Sequence, residues 1–304
     1  MPPSCCTHNY TESSVESLLL QPLDNTLIFI ITACITLPYL YYYFIAAHRP
    51  MQHKHIQTYV QLISYTILFM YGCYCMYNQK MTDIWLRPTD MYTYPCFHPS
   101  SMSYRSTRLL FELEISWYIS SLICVLCSKK QSDFNAMLLH HCITPVEIYY
   151  SWYCGQHSAG LAVMVLHDCS DIALHLAKLL KYYKFHRITD MSFIIFMCTF
   201  FITRLVLLPI TALSGSQWFY PHHSHDSCST ALVNGLWLFV CLHCYWFTLI
   251  VKIAVHALKH GSVEKDIRDE GDNSNRNIQP SIKYANTKQV NGHTNKLNGH
   301  NKQN

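Results

Sequence analysis

Long apolar runs alternate with short polar connections along most of this chain. A transmembrane helix needs about 20 predominantly apolar residues. Seven runs approach that requirement: Leu27–Ala47, Thr58–Tyr77, Arg108–Cys127, Phe134–Cys154, Ala159–Lys181, Phe193–Thr211 and Ala231–Ala257. The first and sixth runs have the strongest apolar character, whereas the third to fifth carry ionisable side chains. The pattern predicts an all-α integral membrane protein with about seven transmembrane helices.

Composition favours the same fold class. The chain has 304 residues, of which 50% are hydrophobic and only 13% are charged. Soluble domains carry about 25% charged residues, so a large soluble helical protein is the weaker alternative. The first apolar run begins only at Leu27 and follows no basic region, so we expect an anchor helix rather than a cleaved signal peptide.

Basic residues in the connections predict the orientation. Lys and Arg follow the first, third and fifth runs, whereas the connections after the fourth and sixth runs contain neither. By the positive-inside rule the amino terminus is then lumenal and the carboxyl terminus cytosolic. The sequon at Asn9 is a glycosylation candidate on the lumenal side. A disulfide is possible among the cysteines predicted to face this oxidising side, which are Cys5, Cys6, Cys96, Cys154 and Cys228.

The chain divides into four predicted regions. They are a lumenal tail at 1–26, an anchor helix at 27–47, a catalytic membrane domain at 57–258 and a tail at 261–304. The last region is rich in Asn, Gly, His and Lys and has almost no large apolar residues, so we expect disorder there. A basic surface interleaved with aromatic residues is not apparent, so no nucleic-acid partner is expected.

Polar residues inside the fourth run form a stripe. His140, Thr144 and Glu147 are spaced i, i+4 and i+7, which places them on one helical face, and His141 points about a quarter turn away. An ionisable side chain at membrane depth costs several kcal/mol and usually faces a protein interior or a water-filled cavity.

The fifth run carries a second stripe, formed by Asp168, Asp171, His175 and Lys178, with His167 beside it. At 1.5 Å per residue, His140 lies about 10 Å and Asp171 about 15 Å from the cytosolic surface. Antiparallel neighbouring helices would bring the two residues to nearly the same depth. We therefore expect the stripes to face each other across a shared cavity.

Three chemistries suit such a cluster. In the simplest one, the polar side chains only form hydrogen bonds between helices. A catalytic metal is disfavoured, because the only dense histidine tract, His222–Asp226, is predicted to be lumenal. A His paired with a carboxylate suits general-base or nucleophilic acyl transfer, with no cofactor beyond acyl-CoA as co-substrate. The phosphates of acyl-CoA would meet basic residues at the cytosolic mouth of the cavity, although the positive-inside rule alone accounts for these residues. They are Lys129, Lys130, Lys181, Lys184 and Arg187.

Five segments resemble the ceramide synthases, the sphingoid-base N-acyltransferases of the TLC-domain superfamily. They are "ELEISWYISSL", "FNAMLLHHCIT", "HDCSDIALHLAK", "FITRLVLLP" and "CYWFTLIVKIAVHALKHGSVEKDIR", in that order, and the likeness spans roughly Tyr59 to Asp269. The family's essential residues fall on His140, His141, Asp168 and Asp171.

The resemblance implies six helices around a central cavity, with one peripheral amino-terminal helix. It implies an endoplasmic reticulum enzyme that acylates sphinganine or sphingosine from a fatty acyl-CoA among membrane lipids, as a possible homo- or heterodimer. His140 would be the base or the acyl-carrying nucleophile, oriented by Asp171. The other residues expected to support the cavity are His141, Asp168, Thr144, His175, Lys178 and Glu114. The short lumenal loop near Gly215–Ser229 corresponds to the family region linked with acyl-chain choice.

The sequence also departs from the family pattern. A homeobox-like insert is absent, a Trp-Arg pair early in the second helix is replaced, Ser158 stands for an arginine and His175 for a glutamate. The alternative functions are a non-catalytic TLC-domain protein that binds lipids or chaperones membrane chains, and a His-rich di-iron lipid oxidase. Non-catalytic relatives usually lose the paired His and Asp that this chain keeps.

Overall fold

The computed structural model describes residues 22–45, 50–93, 102–128, 132–183, 185–222 and 227–260. Over these ranges the chain is almost entirely helical and contains no strand. The helices are α1 (Asn25–Ile45), α2 (Pro50–Asn78), α3 (Asp90–Thr93), α4 (Met102–Cys127), α5 (Phe134–Tyr153), α6 (His157–Tyr182), α7 (His186–Phe200), α8 (Leu208–His222) and α9 (Ser227–His260). A π-helical segment, Phe201–Leu207, joins α7 to α8. The predicted all-α fold class is confirmed.

Five helical stretches within the described ranges are long and apolar enough to cross a membrane. They are His55–Asn78, Met102–Cys127, His157–Tyr182, Arg187–Tyr220 and Cys228–Lys259. In α1 the shorter apolar stretch Asn25–Pro38 falls below that length. Ionisable residues such as His140, His141 and Glu147 lower the apolarity of α5. The chain is therefore a multi-pass membrane protein, while the total of seven spans stays a prediction.

The order of packing positions the site. Helix α2 packs on α4, α4 on α5, α5 on α9, α9 on α8 and the π segment, α7 on α6, and α6 back on α2. The first helix lies outside this order and packs on α4, as expected for a peripheral helix. Helix α6 also contacts α5 across the ring, so the polar stripes of these helices can meet. The central cavity itself stays a prediction.

Hydrogen bonds fix the beginning of α1 against α4. Asp24 caps α1, because its Oδ1 accepts hydrogen bonds from the backbone N–H groups of Thr26 and Leu27 at 3.0 Å each. The backbone N–H of Asp24 in turn donates to Glu112 at 2.8 Å. Arg108 pairs with Glu112 at 3.0 Å and donates to the Pro22 carbonyl at 3.0 Å. The peripheral helix is thus attached by polar contacts at this end.

The sixth predicted span is longer than hydropathy indicated. The structure continues as helix from His186 to His222, so the expected loop near Gly215–Ser229 is wrong over Gly215–His222. Gly215 serves close packing instead of a turn: a Cβ there would lie 2.8 Å from the Tyr92 hydroxyl and 3.0 Å from Val233. The part of the connection at 223–226 lies outside the described residues.

The π segment has a physical cause in the sequence. Pro209 has no N–H to donate to the carbonyl of Leu205, and its ring crowds that carbonyl. A helix relieves such crowding by widening or kinking next to the proline. The wide turn carries Arg204, which is only 3% exposed, into the protein interior. Widened turns of this kind are frequent at functional sites.

A disulfide joins the turn after α5 to the beginning of α9. Cys154 and Cys228 are bonded, with their Cα atoms 6.0 Å apart and a sequence separation of 74. Both were among the cysteines for which a disulfide was expected to be possible, and the pair is bonded, while their position on the oxidising side stays a prediction. Cys5, Cys6 and Cys96 lie outside the described residues.

Candidate active site

His140 lies at the centre of a buried cluster of rings contributed by four helices. It is 8% exposed, and six rings surround it with centroids 5.3–6.4 Å away: Trp246, Phe239, His141, His243, Tyr118 and His167. The His140 Nδ1 atom has no hydrogen-bond partner among the described residues. An imidazole in this setting is shielded from bulk water and keeps a nitrogen available for chemistry.

His141 and Thr144 support the same turn of α5. The His141 ring is buried, 5.5 Å from the ring of His140 and 5.9 Å from that of Tyr118. The Thr144 hydroxyl donates to the backbone carbonyl of His140 at 2.7 Å, a local bond that Thr commonly makes inside helices. Both residues therefore lie beside His140, as predicted, although their role in catalysis stays a prediction.

Asp171 has a different partner from the one expected. Its carboxylate accepts a hydrogen bond from Arg204 at 3.0 Å, and Lys178 adds a second favourable charge nearby. The ring of α6 that meets His140 is His167, stacked at 6.4 Å with an interplanar angle of 15°. His167 precedes Asp171 by four residues, about 6 Å along the helix. The expected contact between Asp171 and His140 is thus replaced by the contact of His140 with His167, one helical turn earlier on α6.

Arg204 organises the polar interior, and the span prediction did not single it out. Its guanidinium donates to Ser170 Oγ at 2.8 Å, the His167 carbonyl at 2.9 Å, Asp171 Oδ1 at 3.0 Å and His243 Nε2 at 2.8 Å. The available signal was a lone arginine inside an apolar run, because such a charge is retained only where the protein supplies a partner.

Asp168 and Glu114 form a second polar contact on another side of α6. Both residues are about 1% exposed, and the two carboxyl groups are neighbours that interact electrostatically. Two neighbouring buried carboxylates repel each other unless one is protonated, so we expect the pair to share one proton. Glu114, expected only to support the cavity, is thus placed directly against a predicted catalytic residue.

The remaining residues of the two polar stripes, His175 and Glu147, contact different parts of the protein. The His175 ring stacks on Tyr65 at 5.4 Å with an interplanar angle of 13°. Glu147 faces α9, where a Cβ at Gly235 would overlap its carboxylate. Glu147 therefore occupies a niche that the glycine leaves open, and does not join the rings around His140.

Only part of the predicted mouth can be located. Lys181 is partly buried near the end of α6, and Arg187 is exposed near the beginning of α7. Lys129, Lys130, Lys184, the sequon at Asn9 and the tail from Gly261 lie outside the described residues. Within the ranges that the structure covers, no group of three or more His, Cys, Asp or Glu side chains could hold a metal ion. The absence of a cofactor stays a prediction.

A family model matches the part of the chain that contains the buried ring cluster. The model described as TLC domain matches residues 54–252. The chain therefore belongs to the TLC-domain family, as the sequence motifs indicated.

Within this family the chain is similar to ceramide synthases. It is 30% identical to human "Ceramide synthase 5" over 231 residues, which cover 74% of this chain and 59% of that protein. It is 31% identical to human "Ceramide synthase 4" over 163 residues, covering 53% and 41%. It is 26% identical to "Ceramide synthase 1 LOH3" of Arabidopsis thaliana over 198 residues, covering 62% and 63%. The matched parts thus span about two fifths to two thirds of these relatives.

Proposed function

We propose that this chain is a ceramide synthase of the endoplasmic reticulum membrane. It transfers a fatty acyl group from acyl-CoA to the amine of sphinganine or sphingosine, giving dihydroceramide or ceramide. The observation that carries the proposal is His140, a buried imidazole with an unpartnered nitrogen inside a cluster of rings from α4, α5, α6 and α9. The similarity to ceramide synthases supplies the substrate class.

His140 is the reacting group in this proposal. As a base it takes the proton from the attacking amine, the new C–N bond forms, and the C–S bond breaks to release CoA thiolate. As a nucleophile it first forms an acyl-imidazole and releases the thiolate; the amine then attacks the acyl carbon, the bond to the imidazole breaks, and the amine proton passes to the freed imidazole nitrogen. Asp171 acts indirectly in either route, because it holds Arg204 and Arg204 holds the neighbouring backbone and rings. Asp168 and Glu114 provide a polar wall.

The disulfide supports the proposed orientation in the membrane. Cys154 and Cys228 form their bond at the ends of α5 and α9 that we place in the lumen, where conditions are oxidising. The amino terminus is then lumenal, and the carboxyl terminus and the acyl-CoA mouth face the cytosol. Dimerisation, expected from relatives, stays a prediction.

Activity in a null background tests the proposal. The chain is expressed in cells that lack ceramide synthase, and microsomes are assayed with sphinganine and a series of acyl-CoA lengths. We expect N-acylated product from the wild type and a loss of at least about a hundredfold in His140→Ala.

His157→Gln is the matched control. His157 is equally buried but lies against Trp152, at a centroid distance of 4.4 Å, and not among the rings around His140. At equal protein amounts this variant should keep its activity. Product from His140→Ala at the wild-type rate would refute the role of His140. A wild-type chain that binds acyl-CoA without turnover would favour a lipid-binding or chaperone protein instead.

A further inference from the structure

His243 of α9 is a buried histidine of the ring cluster that no sequence motif singled out. It is 1% exposed, and its ring centroid lies 6.1 Å from that of His140 and 5.2 Å from that of His167. Phe239 and Trp246 flank it at 6.3 and 5.8 Å. The ring is therefore fixed by packing, next to the group proposed to react.

Arg204 determines which nitrogen of His243 carries the proton. The guanidinium lies 2.8 Å from His243 Nε2, and it can only donate hydrogen bonds. Nε2 must then present its lone pair, so the neutral ring carries its proton on Nδ1. Arg204 is itself held by Ser170, Asp171 and the His167 carbonyl, so it cannot turn away to allow the other tautomer.

The Nδ1–H of His243 has no acceptor in the described part of the protein. The atom is buried and unpartnered, and ring geometry directs this N–H away from Arg204. A buried donor without an acceptor is destabilising and uncommon in folded proteins. A ligand oxygen that enters the cluster would satisfy it.

His167, on the other side of His140, presents the opposite group. Its Nδ1 lies 2.7 Å from the Val163 carbonyl, which can only accept, so Nδ1 carries the proton and the unpartnered Nε2 carries a lone pair. Of the two rings whose tautomers are fixed beside His140, only that of His243 offers a donor.

We propose that His243 is a catalytic residue whose Nδ1–H donates a hydrogen bond to the carbonyl oxygen of the acyl group. The inference rests on the proposed function. In both routes for His140, a nitrogen lone pair attacks the acyl carbon and the C=O π pair moves onto oxygen. The oxyanion then collapses as the C–S bond breaks and the thiolate leaves. A donor placed in advance at that oxygen stabilises the transition state more than the substrate. Arg204 is the positioning residue that holds the donor.

Two amide substitutions separate this role from a structural one. In His243→Asn the amide NH₂ reaches the position of Nδ1 but the contact with Arg204 is lost. In His243→Gln the amide oxygen reaches the position of Nε2 and accepts from Arg204, but no donor remains at Nδ1. If the donor matters, the Gln variant should lose about a hundredfold to a thousandfold in kcat with KM nearly unchanged. The Asn variant should retain more than roughly a tenth of the wild-type kcat by the same reasoning.

The measurement is release of free CoA thiol with sphinganine over the same series of acyl-CoA lengths, using purified full-length protein of matched thermal stability. Turnover by the wild type, together with a kcat of the Gln variant far below that of the Asn variant, supports the role of His243 as donor. Equal losses in both variants, or a smaller loss in Gln, would show that ring volume or the Arg204 contact matters instead, and would overturn the inference alone. A wild type that releases no thiol would overturn the proposed function and this inference together.

Discussion

Asp168 and Asp171 lie one turn apart on the same helix, yet the groups next to their carboxyl groups are of opposite kinds. Asp171 meets the guanidinium of Arg204 at 3.0 Å, so its negative charge is balanced. Asp168 has another buried carboxyl group, Glu114, as its neighbour, so we expect its charge to be avoided by sharing a proton. A buried charge is tolerated only when it is paired or neutralised, and α6 uses both solutions within three residues. The comparison teaches that equal residues on one stripe need not share a role.

The largest expected effect comes from removing the balancing cation. Arg204→Met removes the hydrogen-bonded partner of the half-buried Asp171 and releases Ser170 and the His167 carbonyl. We expect a destabilisation of about 3–5 kcal/mol, measured as a lower Tm of the protein in detergent.

The matched control removes both charges. Arg204→Met combined with Asp171→Asn should recover part of the lost stability, because no unpaired charge remains. If the single variant were as stable as the wild type, the pair would contribute nothing to the fold, and the contrast between the two aspartates would disappear.

A smaller effect should follow from neutralising each aspartate separately. Asp171→Asn removes the charge that Arg204 pairs with, and we expect a cost of about 1–3 kcal/mol. Asp168→Asn supplies an amide N–H that can donate to Glu114, replacing the shared proton, so we expect a change within about 0.5 kcal/mol. Parallel Tm measurements compare the two. Equal losses would mean that Asp168 also faces a cation.

The smallest effect is expected from the other member of the carboxyl pair. Glu114→Gln supplies an amide that can donate to Asp168 in place of the shared proton, so stability should change by less than about 0.5 kcal/mol. Glu114→Leu, of similar size, leaves Asp168 without a partner and should lower the Tm clearly. A leucine variant as stable as the glutamine variant would contradict the proposed proton sharing.

Much of the scaffold follows from the sequence, because hydrophobic runs and polar spacing act over whole helices. The runs located α2, α4, α6 and α9, and the spacing placed His140, His141 and Thr144 on one part of α5. The depth calculation brought α5 and α6 together at the correct level to within a turn. These features depend only on helix period and rise.

The partners of the polar residues did not follow, because they depend on how each helix is rotated. Residues three apart in an α-helix differ by about 60° around the axis, which is enough to point Asp168 at α4 and Asp171 at the π segment. The widening before Pro209 adds a further rotation that brings Arg204 inward. Hydropathy averages over such details, and it also ended the sixth run at Thr211, whereas the helix continues past Gly215, where the glycine allows Tyr92 to approach α8.

The covalent bond between Cys154 and Cys228 constrains how this protein can open. It ties the end of α5 to the start of α9, and these two helices carry His140 and His243. Two helices joined at one end can separate most at the other end, so under the proposed function a fatty chain that enters between them would do so far from the bond. The disulfide thus holds α5 and α9 together at one end and leaves their other ends able to move apart.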